Sequence, residues 1–574
     1  MREMEFRTVV VGSGCAGFNA VDWLMMLGEE SCALITEDVN AGTSRNTGSD
    51  KQTYFKLSLS GDEGDSVGAL ARTLMGDDVN GDTALCEAAS SVPCFLRLAA
   101  LGVPFPTNAF GEYVGYRTDH DSRLRASSAG PLTSRFMTEA LEQSARRHGA
   151  GILDHLLACR IAADEAGVTG VMCLDTKQNE WVFIRCAHIV LCTGGPAHLY
   201  GDRVYPESQH GMTGLALEAG AEGANLHCWQ YGMASVGFRW NVSGSFQQAI
   251  PRYVSVDREG REREFLLDSL SVRDALNLTF LKGYQWPYDE RKKNASSRMD
   301  LLVKAECDRG RRVYLDYRQN SAGWDADLLS PEARRYLAQC GAEQGTPIRR
   351  LRAINAPAIA LYRDHGIDLE REMLEIRVCA QHHNGGLAVD ADWQTGVPGM
   401  YACGEAAGTF GRYRPGGSAL NSTQVGSMRA AQHIARVSRR QPKGSAAGTL
   451  PAVPAGDAAA LTAFFQAAMS RCAGVDRDAD GMRRLLDQGR KALENTCPAD
   501  LADPDLKERL LLRDLLITQQ SVLSAMLYDL EQPGPGVLMT RGLASRRQNA
   551  RPLPERDLWF ERVWRAYRQT NGLE

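Results

Sequence analysis

Short apolar blocks separated by glycine-rich turns set the reading of this chain. Thr8-Val9-Val10-Val11 is β-branched and too brief for a helix, so it reads as a buried strand. It runs straight into Gly12-Ser13-Gly14-Cys15-Ala16-Gly17, after which apolar residues recur with helical spacing through Leu27. The order is strand, turn, helix. A second strand, Cys32 to Thr36, ends at Glu37. Much later, Ile189-Val190-Leu191-Cys192-Thr193-Gly194-Gly195 reads as a buried strand ending in glycines. Gly399-Met400-Tyr401-Ala402-Cys403-Gly404-Glu405 reads as another, ending in Gly-Glu, and a small-residue stretch then opens a helix from about Ser418. Gln441 to Asp457, rich in Pro, Gly, Ala and Ser, reads as a linker, and Leu506 to Leu530 has the apolar spacing of a helix in a bundle. No segment reaches about 18 uninterrupted apolar residues, so no membrane span is expected.

Composition narrows the class. With 574 residues, 44% hydrophobic and 24% charged, and a net charge of -5, the chain has the make-up of a globular enzyme of several domains. Acidic and basic residues nearly balance and no long basic run occurs, which excludes a nucleic-acid partner. The 15 cysteines include no C-x-x-C pair, so no bound metal, iron-sulfur cluster or haem is expected. Their odd number and the lack of a secretory leader point to a reducing cytoplasm.

The first block carries chemistry. Gly12 permits a tight turn, Gly14 lets the backbone approach a pyrophosphate, and Gly17 lets the helix pack close on the sheet, with the helix N-terminus aimed at the phosphates. Glu37, 25 positions after Gly12, stands near the distance expected of a carboxylate that accepts from an adenosine ribose. No second G-x-G-x-x-G follows, which disfavours direct reaction with a nicotinamide.

These segments together resemble the flavoprotein subunits of succinate dehydrogenase and fumarate reductase, with aspartate oxidase in the same superfamily. The resemblance continues in Gln381-His382-His383-Asn384-Gly385-Gly386-Leu387, in Arg414-Pro415-Gly416-Gly417-Ser418-Ala419-Leu420 and in Ser297-Arg298-Met299-Asp300. It ends with Ser545-Arg546 and Pro554-Glu555-Arg556-Asp557-Leu558-Trp559. It implies an α/β fold: a Rossmann-like FAD-binding domain (1–234 and 366–440) with an inserted α+β capping domain (235–365). A linker (441–457), then a C-terminal helical domain and tail (458–574), would complete the chain. It also implies FAD as cofactor. The residues it points to, beyond Gly12, Ser13, Gly14, Cys15, Ala16, Gly17 and Glu37, are Ser44, Thr47 and Gly48, then Thr193 and Gly194. Gly404, Glu405, Ser418, Ala419 and Leu420 close the set. Arg45 stands where some relatives attach FAD through histidine, so the flavin is expected to be non-covalent.

The same resemblance implies Arg298 as proton donor or acceptor and Arg414 as a bidentate clamp on a substrate carboxylate. His382 and His383 are adjacent on a strand and face opposite ways, so one is expected at the flavin pocket while the other packs. Arg252 falls at a matching offset for substrate binding. Two departures argue against fumarate or succinate. The family's Gln-Phe-His-Pro becomes Gln230-Tyr231-Gly232-Met233, and Ser243-Gly244-Ser245-Phe246 replaces a Thr-Glu pair. The polar stretch Tyr116-Arg117-Thr118-Asp119-His120-Asp121 either lines the pocket or forms a solvated loop. The expected function is hydride transfer between flavin N5 and a small anionic substrate, at a C–C bond next to an electron-withdrawing group. The alternatives are an oxygen-using oxidase of amino or hydroxy acids and a non-catalytic electron-transfer subunit. A separate electron-carrier protein is the expected partner.

Overall fold

The computed structural model describes the chain apart from residues 62–63, 119–120, 438–440, 447, 449, 556–564, 567, 571 and 573–574. Asp119, His120 and the segment Arg556 to Trp559 therefore lie outside the described residues. A five-stranded sheet has the order Met400–Ala402, His188–Leu191, Thr8–Val11, Cys32–Ile35, Gly151–Leu153. Every neighbouring pair in it is parallel. Val9, Val10, Leu34, Ile189 and Val190 are fully buried, which explains why these strands read as continuous apolar runs rather than alternating ones. Helix Cys15–Met26 packs on helices Thr133–Arg147 and Ser418–Val437. The Asn19 amide fixes that last contact by donating to Gln424 O (3.0 Å) and Ser427 Oγ (2.6 Å). A second sheet joins Leu156–Asp164, Gly167–Asp175 and Glu180–Arg185 in antiparallel order, with Arg2–Glu5 along its edge.

The cap is a five-stranded antiparallel sheet, Trp229–Ser235, Leu374–His383, Arg312–Asp316, Arg252–Val256, Glu262–Arg263. Helices Val272–Lys282, Arg298–Asp308, Pro331–Gln339 and Pro347–Asp364 accompany it, around a core that includes Met233, Phe246, Leu315 and Ile376. Its first two strands flank the inserted segment in sequence, so the chain leaves and re-enters the parallel-sheet unit side by side. Asp50, from the parallel-sheet unit, ties the cap down: it accepts from Ser245 N (2.9 Å), Ser245 Oγ (2.8 Å) and the Asn355 amide. Asn355 breaks its helix to do so, at φ -157° and ψ 77°.

Helices Ala458–Cys472, Ala479–Glu494 and Leu506–Glu531 share a core built on Phe465, Met469, Leu515, Leu516 and Leu523. Leu506–Glu531 is long and apolar enough to cross a membrane by length and composition, but its most apolar stretch is 78% buried inside the protein. A hairpin, Val537–Arg541 with Ala544–Gln548, follows and pairs with Gly223–Ala224. It adds strands to a region the sequence presented only as helices and a tail. Within it Arg546 makes a two-pronged ion pair with Glu222, at 2.7 and 3.0 Å.

Candidate functional site

The carboxyl ends of the parallel strands open into a cavity of about 1270 Å³, where a ligand of an open α/β sheet belongs. Typical small-molecule cavities hold roughly 300–1,000 Å³, so this one has room for a dinucleotide and a second molecule. The glycine turn sits at its floor. Gly12 adopts φ +107°, and a Cβ there would lie 2.6 Å from Cys192 O; a Cβ on Gly17 would lie 1.8 Å from Gly12 O. Both glycines serve the protein's own packing. Gly14 differs, since its Cβ would meet only Ser44 Oγ, at 3.3 Å. The protein has space for a side chain at Gly14, so the bare backbone there is directed at the cavity. Helix Cys15–Met26 begins at Gly14, which has no side chain to cap it; Cys15 N reaches Ser44 Oγ at 3.3 Å, and the N-terminus otherwise opens toward the cavity as an anion site.

Cavity walls include Ser13, Cys15 and Ala16 from the turn, Ser44, Thr47 and Gly48 from the next loop, and Thr193 and Gly194 from the middle strand end. Ala419, Leu420 and Glu405 line it from the late segment. Gly17, Gly404 and Ser418 do not reach it; Gly404 makes a turn at φ +65° and Ser418 Oγ donates to Pro415 O (3.0 Å). Glu37 lines the far end in an ion pair with Lys507 of the C-terminal helix. Gln209 went unnoticed in the sequence, having no motif, yet it accepts from Thr43 Oγ1 and donates to Thr193 O and Gly195 O. It fastens the first loop to the middle strand end. A two-nucleotide cofactor fits this set: a glycine cradle, a helix N-terminus facing the cavity and a carboxylate at the sugar end. Arg45 points away from the cavity, pairing with Glu142 while its guanidinium lies over Phe18.

At the other end the cap strands deliver polar groups. Trp229 pairs with His383 and Gln230 with His382, but Tyr231 pairs with Ala380, so Gln381 is an extra residue, a β-bulge. Alternation sends Gln230 and His382 to the cavity and Trp229 and His383 away from it. The His383 ring stacks on Trp229 with centroids 4.3 Å apart and its Nε2 meets Leu226 O at 3.1 Å. Burial pushes its pKa down to about 3, and it is a neutral packing residue. The bulge turns Gln381 toward the cavity beside His382. Its amide donates to Gly232 O (2.9 Å) and accepts from the Asn241 amide (3.0 Å). Trp286 fills the space over Gly232, where a Cβ would come within 2.5 Å of the indole.

Arg414 is the buried cation here. Nη2 donates to Gln230 Oε1 at 2.6 Å, while Nε and Nη1 have no partner among the described residues. Burial lowers its pKa to about 10, which leaves it charged at neutral pH. A buried guanidinium with free donors on the wall of a cavity is a site for an anion. Glu405 accepts from His383 N (2.8 Å) and from the Tyr205 hydroxyl, and burial raises its pKa. Tyr116, Arg117, Thr118 and Asp121 also line the cavity.

Two of the expected residues are not brought to the cavity. Arg298 opens a cap helix with its guanidinium on Ser269 O (2.9 Å) and does not line the cavity. Two positions on, Asp300 faces inward and forms a buried pair with Lys282 at 2.6 Å, which sets the phase of that helix. Arg252 is held by Glu262 (2.7 Å), Glu264 (3.4 Å) and Asp316 (3.4 Å) within the cap sheet, also away from the cavity.

Comparison with known proteins agrees with this geometry. The family described as FAD binding domain matches residues 7–420. The L-aspartate oxidase of Agrobacterium fabrum is 27% identical over 509 residues, covering 87% of this chain and 86% of that protein. Mycobacterium smegmatis Sdh1 in complex with UQ1 superposes with a TM-score of 0.74 at 18% identity, over 97% of this chain and 96% of the other. A quinol-fumarate reductase with menaquinol molecules gives 0.71 at 17% identity, over 97% and 99%. The glycine cradle, the cavity and the matched span together make this chain a member of the FAD binding domain family, an FAD-dependent oxidoreductase with the fold of the succinate dehydrogenase and fumarate reductase flavoproteins.

Proposed function

We propose that the protein transfers a hydride between FAD and a small carboxylate held by Arg414, acting at a carbon next to the carboxylate. The observation that carries this reading is the buried Arg414 guanidinium, two of whose nitrogens are unpartnered on the cavity wall. Bound there non-covalently, FAD supplies the hydride acceptor or donor. The chain positions the substrate: Gln230 aims the guanidinium through one Nη2–H, and the remaining donors, among them the unpartnered Nε and Nη1, are left for a carboxylate. Trp286 and Tyr284 of the cap line the cavity at this end.

Fumarate and succinate fit poorly. Gly232 offers no side chain for a second carboxylate, the Trp286 indole covers it, and Ser245 is committed to Asp50. Kinship with L-aspartate oxidases favours a second reading, an oxidase that passes its electrons to oxygen. Otherwise a separate carrier protein receives them. None of the 15 cysteines is in a disulfide among the described residues, which supports a reducing compartment such as the cytoplasm.

Anaerobic mixing with saturated, unsaturated, 2-hydroxy and 2-amino carboxylates tests the proposal. At least one should change the flavin oxidation state in the wild-type protein, and Arg414→Lys should weaken its binding tenfold or more, because a point charge lacks the fork geometry. Equal response in Arg414→Lys overturns the assignment, and oxygen uptake separates oxidase from dehydrogenase.

A further inference from the structure

His382 presents a defined nitrogen to the substrate end of the cavity, and its neighbours fix which one. The Asn384 amide nitrogen donates to Gly411 O at 2.8 Å, so the amide oxygen is the atom 2.9 Å from His382 Nδ1. An amide oxygen only accepts, and Nδ1 must therefore carry a proton. In a neutral imidazole the lone pair is then on Nε2. That atom is buried and has no partner among the described residues, and His382 lines the cavity. Arg414 stands beside it: the Phe410 ring is met edge-on by His382 at 4.9 Å and carries the Arg414 guanidinium at 5.6 Å. One small region thus offers free N–H donors at Arg414 and a bare acceptor at His382.

We propose that His382 is the proton acceptor of the reaction, and that its substrate is a 2-hydroxy or 2-amino carboxylate. The proposal rests on the reading of Arg414 above. The carboxylate sits on Arg414, and the hydroxyl or ammonium on the neighbouring carbon donates to Nε2. In the alcohol, the O–H proton passes to Nε2 as the C–H hydrogen leaves with its electron pair to oxidised FAD, and C–O becomes C=O. In the amine, Nε2 first takes a proton from the ammonium, after which hydride loss gives C=N. Two electrons leave the substrate and two arrive on FAD; the imidazolium returns its proton to water when the product departs. Arg298 is not needed for this step.

The charged and titratable groups around His382 favour its neutral form. Burial, the Arg414 charge and His383 all lower its pKa, while the contact with Asn384 raises it. Glu405 Oε1, the one carboxylate near Nε2 among the described residues, is 3.9 Å away and already accepts from His383 N and Tyr205. Neutral imidazole is thus the resting form, with Nε2 bare. Asn384 is the positioning residue.

The test uses anaerobic holoprotein and two probes that differ by one hydroxyl, lactate (both enantiomers) and propionate, with calorimetry as the readout. One lactate enantiomer should bind at least tenfold tighter than propionate. His382→Phe should erase that difference while keeping propionate affinity, and His382→Leu repeats the comparison if the first variant loses FAD. Arg414→Gln should abolish both. Equal binding of the two probes, with Arg414 dependence intact, overturns the role of His382 and spares the anion site. Binding indifferent to Arg414, or absent, sinks the reading of the site itself. Nitrogen NMR of histidine-labelled holoprotein at pH 7, assigned by difference with His382→Gln, should find Nδ1 protonated and Nε2 bare, a pattern lost in Asn384→Leu. An Nε2–H tautomer or an imidazolium would refute the proposal.

Discussion

Replacing Gly14 and Gly17 in turn by alanine separates cofactor contact from protein packing, although the two glycines belong to one turn. At Gly17 the new Cβ would fall 1.8 Å from Gly12 O and 2.9 Å from Gly12 C, backbone atoms that cannot step aside. Gly17→Ala should destabilise the protein with or without FAD, by about 3 kcal/mol or more on the scale of core overpacking. At Gly14 the backbone is extended, φ -81° and ψ -174°, and the nearest atom to a new Cβ is Ser44 Oγ at 3.3 Å. Alanine fits there once Ser44 gives way slightly, and stiffening the unfolded chain can add about 0.4–1 kcal/mol. FAD binding should suffer instead. A methyl between backbone and pyrophosphate removes one or two hydrogen bonds to a charged group, each about 1.5–3 kcal/mol. A loss of about 3 kcal/mol corresponds to roughly a hundredfold rise in Kd. The assay is calorimetric titration of deflavinated protein with FAD, alongside thermal melting of the same apoprotein. If Gly14→Ala bound FAD as the wild type does, or melted as low as Gly17→Ala without FAD, the turn would not be the pyrophosphate cradle.

Three further outcomes are expected. Removing Asp50, which satisfies Ser245 N, Ser245 Oγ and Asn355, should loosen the cap by about 2–4 kcal/mol in Asp50→Ala, since buried donors lose their acceptor; unchanged proteolysis of the cap would contradict the latch. Glu87 is buried and its pKa raised to about 7 by desolvation, offset in part by bonds from Ser422 (2.8 Å) and Thr409 (3.0 Å). A raised carboxyl holds its proton on folding, so this stability is full below pH about 4.5 and is lost as pH rises toward 7. Glu87→Gln should therefore stabilise by up to about 3 kcal/mol at pH 8 and by little at pH 5, and a pH-independent difference in melting would refute the assignment. Acid precipitation should release all the flavin, because Arg45 points to Glu142 and cannot form a histidyl link; yellow colour kept in the pellet would count against this.

The parts of this molecule that a sequence can disclose are those where chemistry dictates residue type. Gly12 and Gly17 are glycine because backbone lies against them, and Val9, Val10, Ile189 and Val190 are apolar because both faces of their strands are covered. Strand alternation also foretold that His382 and His383 would part company. Which of them meets the cavity depends on cross-strand register, set by pairing with Gln230 and Trp229 from 150 residues upstream, and nothing local encodes that. The bulge that adds Gln381 to the site is equally silent, since an extra residue in a strand carries no compositional mark. Arg298 misled for a related reason. Its motif is present, but one helical position is worth about 100° of rotation, and the Lys282 to Asp300 pair fixes a phase that leaves the guanidinium on Ser269. The Gly223–Ala224 partner of the C-terminal hairpin lies more than 300 residues away in sequence, beyond any periodic pattern.

The most direct test of the account is an experimental structure of the FAD-bound protein with lactate at neutral pH. It should show the carboxylate held by free N–H donors of Arg414, the hydroxyl on His382 Nε2, and Arg298 still on Ser269. Lactate bound elsewhere, with Arg414 unengaged or Arg298 swung over the flavin, would contradict it.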